Sequence, residues 1–239
     1  MRKNYVHVKV TDSCDCKPKN ASDFGTSKLG TKQYWDNVYN RESINFKDFG
    51  DTGDVWYGEG SMERVLDWIE ENCIAIEQPS IIDLGSGNGI LLLELSKRGY
   101  DDLTGIDYSE GAVELARNIA KQEHQTSIKF EVADILCDPV VSASLQRQYN
   151  VCIDKGTYDA MSLCPDEPRL KRLLFKRVVL RLLTERGLFV ITSCNWTKEE
   201  LLTHFQPELT LHKEIHTPSF QFGGSSGSTV VSLVFAKKG

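Results

Sequence analysis

The chain has 239 residues, a length that suits one α/β domain with additions or at most two small domains. Its 28 basic and 34 acidic residues give a net charge of −6, which argues against a nucleic-acid partner because phosphates need a basic face. Although 40% of the residues are hydrophobic, no apolar run reaches the roughly 18 residues of a membrane span, so no membrane partner is expected.

The cysteines argue against a metal site. Seven cysteines are scattered without a CxxC pair, and Cys14 and Cys16 are too close together for the usual zinc spacing. We therefore expect no metal and reduced thiols, which suits a protein of the cytoplasm or the nucleus. The polar N-terminal stretch has no continuous apolar core, so no secretory signal is expected.

Periodicity divides the chain into a tail and one domain. Residues 1–28 are polar, rich in lysine and without periodicity, and are predicted to form a flexible tail. Residues 29–239 are predicted to form a single domain, with a helical region over 29–79 and a core over 80–239. Thr31 can cap the first helix of the helical region.

From residue 80 onward, short apolar strands alternate with amphipathic helices. Five strands are predicted at "SIIDL", "LTGID", "IKFEVAD", "YNVCID" and "LFVITS", and two more at "LTLHKEIH" and "STVVSLVFAKK". A long helix before the fifth strand is predicted to end at Gly187. Such alternation predicts an α/β fold with a mostly parallel, doubly wound sheet, whose ligands bind beyond the carboxyl ends of the strands.

The stretch "IIDLGSGNG" at residues 81–89 places a glycine at every second position after a strand. The dinucleotide-binding pattern requires Gly or Ala where this chain has Ile90, and the pattern of a phosphate-binding P-loop is absent. The spacing D-x-G-x-G-x-G instead resembles the first motif of class I S-adenosylmethionine-dependent methyltransferases. A glycine backbone can pass close to that donor, and the carboxylate of Asp83 suits its cationic groups.

Two further acids follow the next two predicted strands. A carboxylate at Asp107 can accept hydrogen bonds from both ribose hydroxyls, and Asp134 can accept from the adenine amino group. Each acid alone could equally cap the following element, but three acids together with the glycine loop favour a cofactor site. The cofactor-binding residues predicted here are Asp83, Gly85, Ser86, Gly87, Asn88, Gly89, Asp107, Tyr108, Asp134 and Ile135.

The fourth strand runs into "CIDKGTYDAMS", and Asp154 at its end is expected to face the reacting centre. We predict that Asp154 orients a target amine, although it could also cap the next turn and pair with Lys155. Tyr158 is a second catalytic candidate, as a channel wall or a hydrogen-bond partner, and a packed core tyrosine is the alternative.

Polar and aromatic residues after the fifth and sixth strands are predicted to bind the substrate. Asn195 and Trp196 follow the fifth strand, and Phe220 and Phe222 lie in the loop after the sixth. Trp196 could contact a methylated amine through a cation–π interaction. Hydrophobic cover of the sheet edge is the alternative for the aromatic residues.

Longer stretches narrow the resemblance to one family. They are "GDVWYGEGSMERV", "CIDKGTYDA", "ITSCNWTKEELL" and "FQFGGSSGSTVVSLVF". With them the chain resembles the lysine methyltransferase 2 family of eukaryotic translation elongation factor 1-alpha, over about 210 residues from Leu29 onward. The resemblance implies a seven-stranded, Rossmann-like class I methyltransferase fold with an antiparallel last strand. It also implies S-adenosylmethionine as methyl donor and a lysine of the elongation factor as acceptor.

The resemblance also bears on the helical region. In related methyltransferases this region covers the donor, which implies a contact for Trp56 and a weaker expectation for Trp35. Trp35 could instead belong to the buried face of the first helix. The elongation factor is basic, so an acidic enzyme would be steered toward it. We expect the enzyme to be monomeric.

Two other kinds of function stay open on the sequence. One is a methyltransferase that acts on another protein, a small-molecule amine or RNA, and the other is a catalytically silent methyltransferase-like scaffold. The stripe "RLKRLLFKRVVLR" could suggest RNA, but we interpret it as the solvated side of an amphipathic helix. The apolar face of that helix is predicted to consist of Leu170, Leu173, Leu174, Val178 and Leu182.

Overall fold

A computed structural model describes residues 25–73, 78–136, 143–217, 220–222, 225–227 and 230–238, with the backbone alone for 220–222 and 225–227. The predicted tail over residues 1–28 therefore lies outside the described residues as far as residue 24. Among the described helices, none is long and apolar enough to cross a membrane.

Two helices precede the sheet. Helix α1 spans Lys32–Phe49 and helix α2 spans Glu59–Asn72. The predicted cap of α1 is confirmed, because the Thr31 side chain accepts a hydrogen bond from the amide of Tyr34. Gly50 ends α1 with a left-handed backbone, and residues 50–58 connect the two helices; we call this connector the strap.

The core is a seven-stranded sheet with the order β3-β2-β1-β4-β5-β9-β6. Strand β9 is antiparallel to both of its neighbours and the other strands are parallel to one another, which confirms the expected seven-stranded sheet with an antiparallel last strand. Its strands are β1 (Ile81–Leu84), β2 (Leu103–Asp107), β3 (Lys129–Val132), β4 (Tyr149–Lys155), β5 (Leu183–Ser193), β6 (Leu209–Ile215) and β9 (Val231–Lys237).

Helices cover both faces of the sheet, because successive side chains of the central strands point to opposite sides. Ile81 and Val151 pack on one side and Ile82 and Cys152 on the other, and all four are fully buried. Helices α1 and α2 lie on the first side with α3 (Ile90–Lys97) and α4 (Glu110–Gln122). The second side carries α5 (Thr157–Ser162), α6 (Pro168–Leu182) and α7 (Lys198–Phe205).

The predicted end of the long helix at Gly187 is wrong. Helix α6 stops at Leu182, and β5 begins at the next residue. The sheet decides this boundary, because Leu183 pairs with Tyr149 of β4 and is fully buried there. Tertiary pairing thus overrides the local helical pattern.

The predicted apolar face of α6 is partly wrong. Leu170 and Leu173 are 46% and 58% exposed, whereas Val178 and Leu182 are buried as expected. Phe175 and Val179 complete the buried face. The helix is rotated relative to the predicted face because Phe175 packs against Phe189 of β5.

Two short strands between β6 and β9 were not predicted from the sequence. Strands β7 (Phe220–Phe222) and β8 (Ser225–Gly227) form a separate two-stranded antiparallel sheet between β6 and β9. Because β6 runs parallel to β5, the segment that follows β6 leaves the sheet at the edge where β1, β2 and β4 also end.

Candidate active site at the carboxyl ends of the strands

The glycine loop joins β1 to α3 at this edge. The amides of Gly85 and Ser86 both donate to the carbonyl of Ile106 in β2, at 2.8 and 2.9 Å. Gly85, Gly87 and Gly89 have φ values of +79°, +54° and +75°, in the left-handed region that favours glycine.

These three glycines also face the protein's own side chains. A Cβ at Gly85 would lie 2.0 Å from Oγ1 of Thr157, and a Cβ at Gly87 would lie 2.5 Å from the hydroxyl of Tyr39. The loop is thus held closely between α1 and the turn after β4. Both the left-handed backbone and these contacts require glycine.

Asp107 supports the same loop from the end of β2. Its Oδ2 accepts from the Gly87 amide at 3.0 Å and its Oδ1 accepts from the Ser109 amide at 2.9 Å. Burial raises the pKa of the Asp107 carboxyl to about 6, although both amides lower it. The carboxylate therefore fixes the glycine loop and begins α4, while its contact with a ribose stays a prediction.

Asp83 lies beside Asp107 in the interior of this edge. Burial raises the pKa of Asp83 to about 7, against the opposing effect of the nearby Lys155 cation. Burial lowers the pKa of Lys155, whose Nζ donates to the carbonyl of Trp56 at 3.0 Å. Asp83 is thus a buried acid for which an added positive charge would be favourable.

The strap crosses the glycine loop. The Asn88 side-chain amide donates to the carbonyls of Thr52 and Asp54, at 3.0 and 3.3 Å. The structure brings the two predicted tryptophans together, because the rings of Trp35 and Trp56 meet edge to face with centroids 4.8 Å apart. Both are half-buried, and their contact with a donor stays a prediction.

The remaining predicted cofactor residues lie around the same loop. Tyr108 is half-buried with Nζ of Lys32 5.5 Å from its ring centroid. Asp134 is exposed, and its Oδ1 accepts from the amide of Leu136 at 2.9 Å. Ile135 is buried in the core. The adenine contacts of Asp134 and Ile135 stay predictions.

Asp154 is fully buried at the end of β4. Its Oδ1 accepts from the Gly156 amide at 3.2 Å and its Oδ2 accepts from the Tyr158 amide at 2.9 Å. Burial, and next the charge of Asp159, raise the pKa of this carboxyl well above its ordinary value. Asp154 thus caps the turn into α5, which was the alternative reading, and its orientation of an amine stays a prediction.

Tyr158 and Trp196 lie in the core between α5, α6 and α7. Each is 2% exposed, and their ring centroids are 5.9 Å apart. The Tyr158 hydroxyl is 2.9 Å from Nδ1 of His204, whose pKa burial lowers to about 4. Tyr158 is thus a packed core tyrosine, which was the alternative that the sequence left open. A role of either ring as a channel wall would require this packing to change.

The structure describes Asn195 fully and only the backbone of the other two predicted substrate residues, Phe220 and Phe222. Asn195 is half-buried, and its amide donates to Oδ2 of Asp159 at 3.3 Å. The side chains of Phe220 and Phe222 lie outside the described residues, and their backbone belongs to β7, which pairs with β8 in the separate two-stranded sheet.

The hydrogen bonds of Asp159 were not predicted from the sequence. Its buried carboxylate accepts from the Tyr57 hydroxyl, the Ser193 hydroxyl and the Cys194 amide at 2.7, 2.6 and 2.8 Å, as well as from Asn195. The stretch "GTYDA" gives no local signal for this, because the partners lie 34 to 102 positions away along the chain.

Comparison with known proteins agrees with this geometry. A family model described as a methyltransferase domain matches residues 77–229. EEF1A lysine methyltransferase 2 of Danio rerio is 46% identical over 230 residues, which cover 96% of this chain and 97% of that protein. The human protein of the same name is 46% identical over 90% of this chain and 89% of its own length. Protein-lysine N-methyltransferase EFM4 of Saccharomyces cerevisiae is 40% identical over 91% of this chain and 98% of its own.

Solved structures of lower identity share the fold. A TehB-like SAM-dependent methyltransferase from Corynebacterium glutamicum has a TM-score of 0.58 at 20% identity, covering 87% of this chain and 100% of that one. The cyclase SpnF has a TM-score of 0.64 at 15% identity, covering 90% and 98%. Because one of the two is named a cyclase, the fold does not by itself fix the reaction.

Proposed function

This chain belongs to the EEF1A lysine methyltransferase 2 family, and we propose that it transfers methyl groups from S-adenosylmethionine to a lysine side chain of translation elongation factor 1-alpha. The observation that carries the proposal is the pair of buried acids, Asp83 and Asp107, beside a left-handed glycine loop at the edge where the strands end. We infer the acceptor from the family, and we infer the cationic donor from the residues of the site.

The residues present fit a cationic donor. S-adenosylmethionine carries a sulfonium and an ammonium group, and Asp83 and Asp107 are acids that gain from a positive charge in their buried surroundings. The hydroxyls of Ser86 and Ser109 are buried without a hydrogen-bond partner among the described residues, so they are available to a ligand. When bound, the donor supplies an electrophilic methyl group. We assign Asp134, Ile135, Tyr108, Trp35 and Trp56 to the rest of its surface.

The acceptor amine must be neutral before it can react. A lysine ammonium has a pKa of about 10.4, so the site must remove a proton and hold the amine in line with the methyl group. We propose that Asp154 orients this amine, since it ends β4 next to the buried acids. Asn195, Phe220 and Phe222 are proposed to contact the substrate. Tyr158 as the second candidate, and Trp196 as a substrate contact, would require their packing in the core to change.

Charge supports a protein acceptor. The net charge of −6 favours encounter with a basic protein and disfavours RNA. We propose that the enzyme acts as a monomer in the cytoplasm, where the elongation factor works.

The experiment is a labelling assay. The purified chain is incubated with labelled S-adenosylmethionine and unmodified elongation factor 1-alpha, in parallel with RNA and with a whole-cell protein extract. We expect label on a lysine of the elongation factor and none on RNA. Label on a different extract protein alone would refute the named acceptor. Donor binding without any label would favour a silent scaffold.

A further inference from the structure

One buried carboxylate joins the strap to the segment after β5. Asp159 of α5 is 3% exposed and accepts a hydrogen bond from the hydroxyl of Tyr57, in the strap, at 2.7 Å. It also accepts the amides of Cys194 and Asn195, which begin the β5–α7 loop (residues 194–197). The strap crosses the glycine loop, and the β5–α7 loop holds two of the proposed substrate residues.

We propose that Asp159 is a positioning residue that couples the strap to the β5–α7 loop, so that donor binding under the strap sets the position of the substrate-binding loop. This inference rests on the proposed function, because it takes the strap to cover S-adenosylmethionine. It assigns to Asp159 no contact with the reacting atoms.

The strap end is held in a strained conformation that Asp159 can stabilise. Tyr57 has a φ of +64°, a left-handed backbone conformation that residues other than glycine rarely adopt. Gly156 makes room for it, because a Cβ there would lie 2.8 Å from the Tyr57 hydroxyl. Lys155 binds the neighbouring carbonyl of Trp56. Lys155 at the end of β4 and Asp159 in α5 therefore fix this end of the strap at two successive residues.

The β5–α7 loop shares the same oxygen. Oδ2 of Asp159 accepts from the Tyr57 hydroxyl and from the Cys194 and Asn195 amides, while Oδ1 accepts from the Ser193 hydroxyl. The Ser193 oxygen in turn accepts from the amides of Asn195 and Trp196, at 3.2 and 3.0 Å. A movement of Tyr57 therefore changes the hydrogen bonding of the loop directly.

The burial of Asp159 makes the strap and the β5–α7 loop depend on each other. Because Asp159 is almost inaccessible to water, an oxygen that loses the Tyr57 hydroxyl has no ready replacement partner. A donor that favours the closed strap thereby favours the ordered loop, and the coupling runs in both directions. Such an arrangement would present the acceptor site in its working form only when the donor is in place.

The test compares hydrogen exchange in the full chain with and without S-adenosylmethionine. The variants are Tyr57→Phe, which removes only the hydroxyl, and Asp159→Asn. The control is Tyr100→Phe, at a half-buried tyrosine just before β2, at the opposite edge of the sheet. In the wild type and the control we expect the donor to slow exchange of the peptide containing Cys194 and Asn195 about tenfold, the worth of one hydrogen bond to a charged group.

In Tyr57→Phe we expect the donor still to bind but to lose most of this protection. The KM for the elongation factor should rise about tenfold with kcat nearly unchanged, because binding of the acceptor then has to order the loop. A purely structural role would lower kcat through the fraction of folded enzyme and leave KM alone. If Asp159→Asn does not fold, Tyr57→Phe decides the matter.

Two outcomes would overturn the inference. Wild-type protection in Tyr57→Phe with donor bound would refute the coupling and leave the proposed function intact. A wild-type chain whose melting temperature does not respond to S-adenosylmethionine would refute both together.

Discussion

The amide of Gly87 donates to Oδ2 of Asp107 at 3.0 Å, so the acid that ends β2 holds the middle of the glycine loop. Sequence patterns treat the loop and the acid as separate parts of a cofactor site. In the structure they form one unit, because the same carboxylate also accepts from Ser109 at the start of α4. Loss of the acid should therefore disturb the loop as well as remove a contact to the ligand.

Replacement of Asp107 by alanine should abolish tight donor binding. Two buried amides lose a charged acceptor, each such bond being worth about 1.5–3 kcal/mol, so we expect the donor Kd to rise about 100-fold. Isothermal titration calorimetry measures this. The control is Asp102→Ala, at the other end of β2, where the carboxylate forms a half-exposed ion pair with Arg147. An unchanged Kd in Asp107→Ala would contradict the assignment.

Alanine at Gly87 should be partly rescued by a change at Tyr39. The added Cβ would meet the Tyr39 hydroxyl at 2.5 Å, and the left-handed backbone would be strained by about 1–2 kcal/mol. We expect Gly87→Ala to raise the donor Kd more than tenfold and Tyr39→Phe to recover part of that loss, since it removes the clashing oxygen. Calorimetry of the two single variants and the double variant decides this. Strictly additive effects would show that the two residues do not interact.

Replacement of Asp154 by asparagine should separate turnover from donor binding. Asparagine keeps one acceptor for the turn, so the fold should survive, but it removes the charge proposed to orient the amine. We expect kcat to fall about 100-fold with the donor Kd changed less than threefold. Asp166→Asn, at an exposed position, serves as the control. Near-normal turnover by Asp154→Asn would remove Asp154 from the proposed chemistry.

The pH dependence should differ between the free and the donor-bound protein. The pKa values of Asp83 and Asp107 are raised from about 3.8 to about 7 and about 6, so the fold favours their neutral forms. Their contribution to stability is full below about pH 3.8, declines as the pH rises above that value, and is lost once the pH has passed through about 6 for Asp107 and about 7 for Asp83. The free protein should therefore lose stability over that range.

A cationic donor should reverse this trend. Because it favours the ionised carboxylates, its binding should release protons near pH 6 and tighten as the pH rises toward about 7. Calorimetry in two buffers of different ionisation enthalpy measures the protons released. Zero release at pH 6 would show that the two acids do not meet the positive charge.

Tyr158→Phe distinguishes a core tyrosine from a catalytic one. The structure places its hydroxyl against His204, so we expect a loss of about 1 kcal/mol in the free energy of unfolding with kcat unchanged. Tyr149→Phe is a matched control, since that buried hydroxyl donates to the carbonyl of Ser144 far from the site. A tenfold drop in kcat without a loss of stability would instead place Tyr158 in the reaction.

Sequence patterns predicted the features that depend on residues close together along the chain. The glycine spacing and the position of Asp107 indicated the edge at which the structure places the glycine loop and the buried acids, because strand ends and left-handed turns leave clear sequence signals. The seven strands of the sheet and the antiparallel last strand followed from the family resemblance, whereas the order of the strands was not predicted. Helix and strand boundaries were less predictable where pairing competes with propensity, as at Leu183.

Long-range hydrogen bonds were beyond sequence reasoning. The role of Asp159 depends on Tyr57, which is 102 positions away, and no spacing rule joins them. Tyr158 and Trp196 follow strand ends, as site residues do, yet both turn into the core because α6 and α7 cover them. Whether a residue after a strand end faces the site or turns into the core depends on how the neighbouring helices pack, which the sequence does not show.

The most direct test of the proposed reaction is mass spectrometry of elongation factor 1-alpha after incubation with S-adenosylmethionine and either the wild-type chain or Asp107→Ala. We expect methyl groups on a lysine of the elongation factor with the wild type and almost none with the variant. If the wild-type chain binds S-adenosylmethionine and the elongation factor still stays unmodified, the proposed function is contradicted.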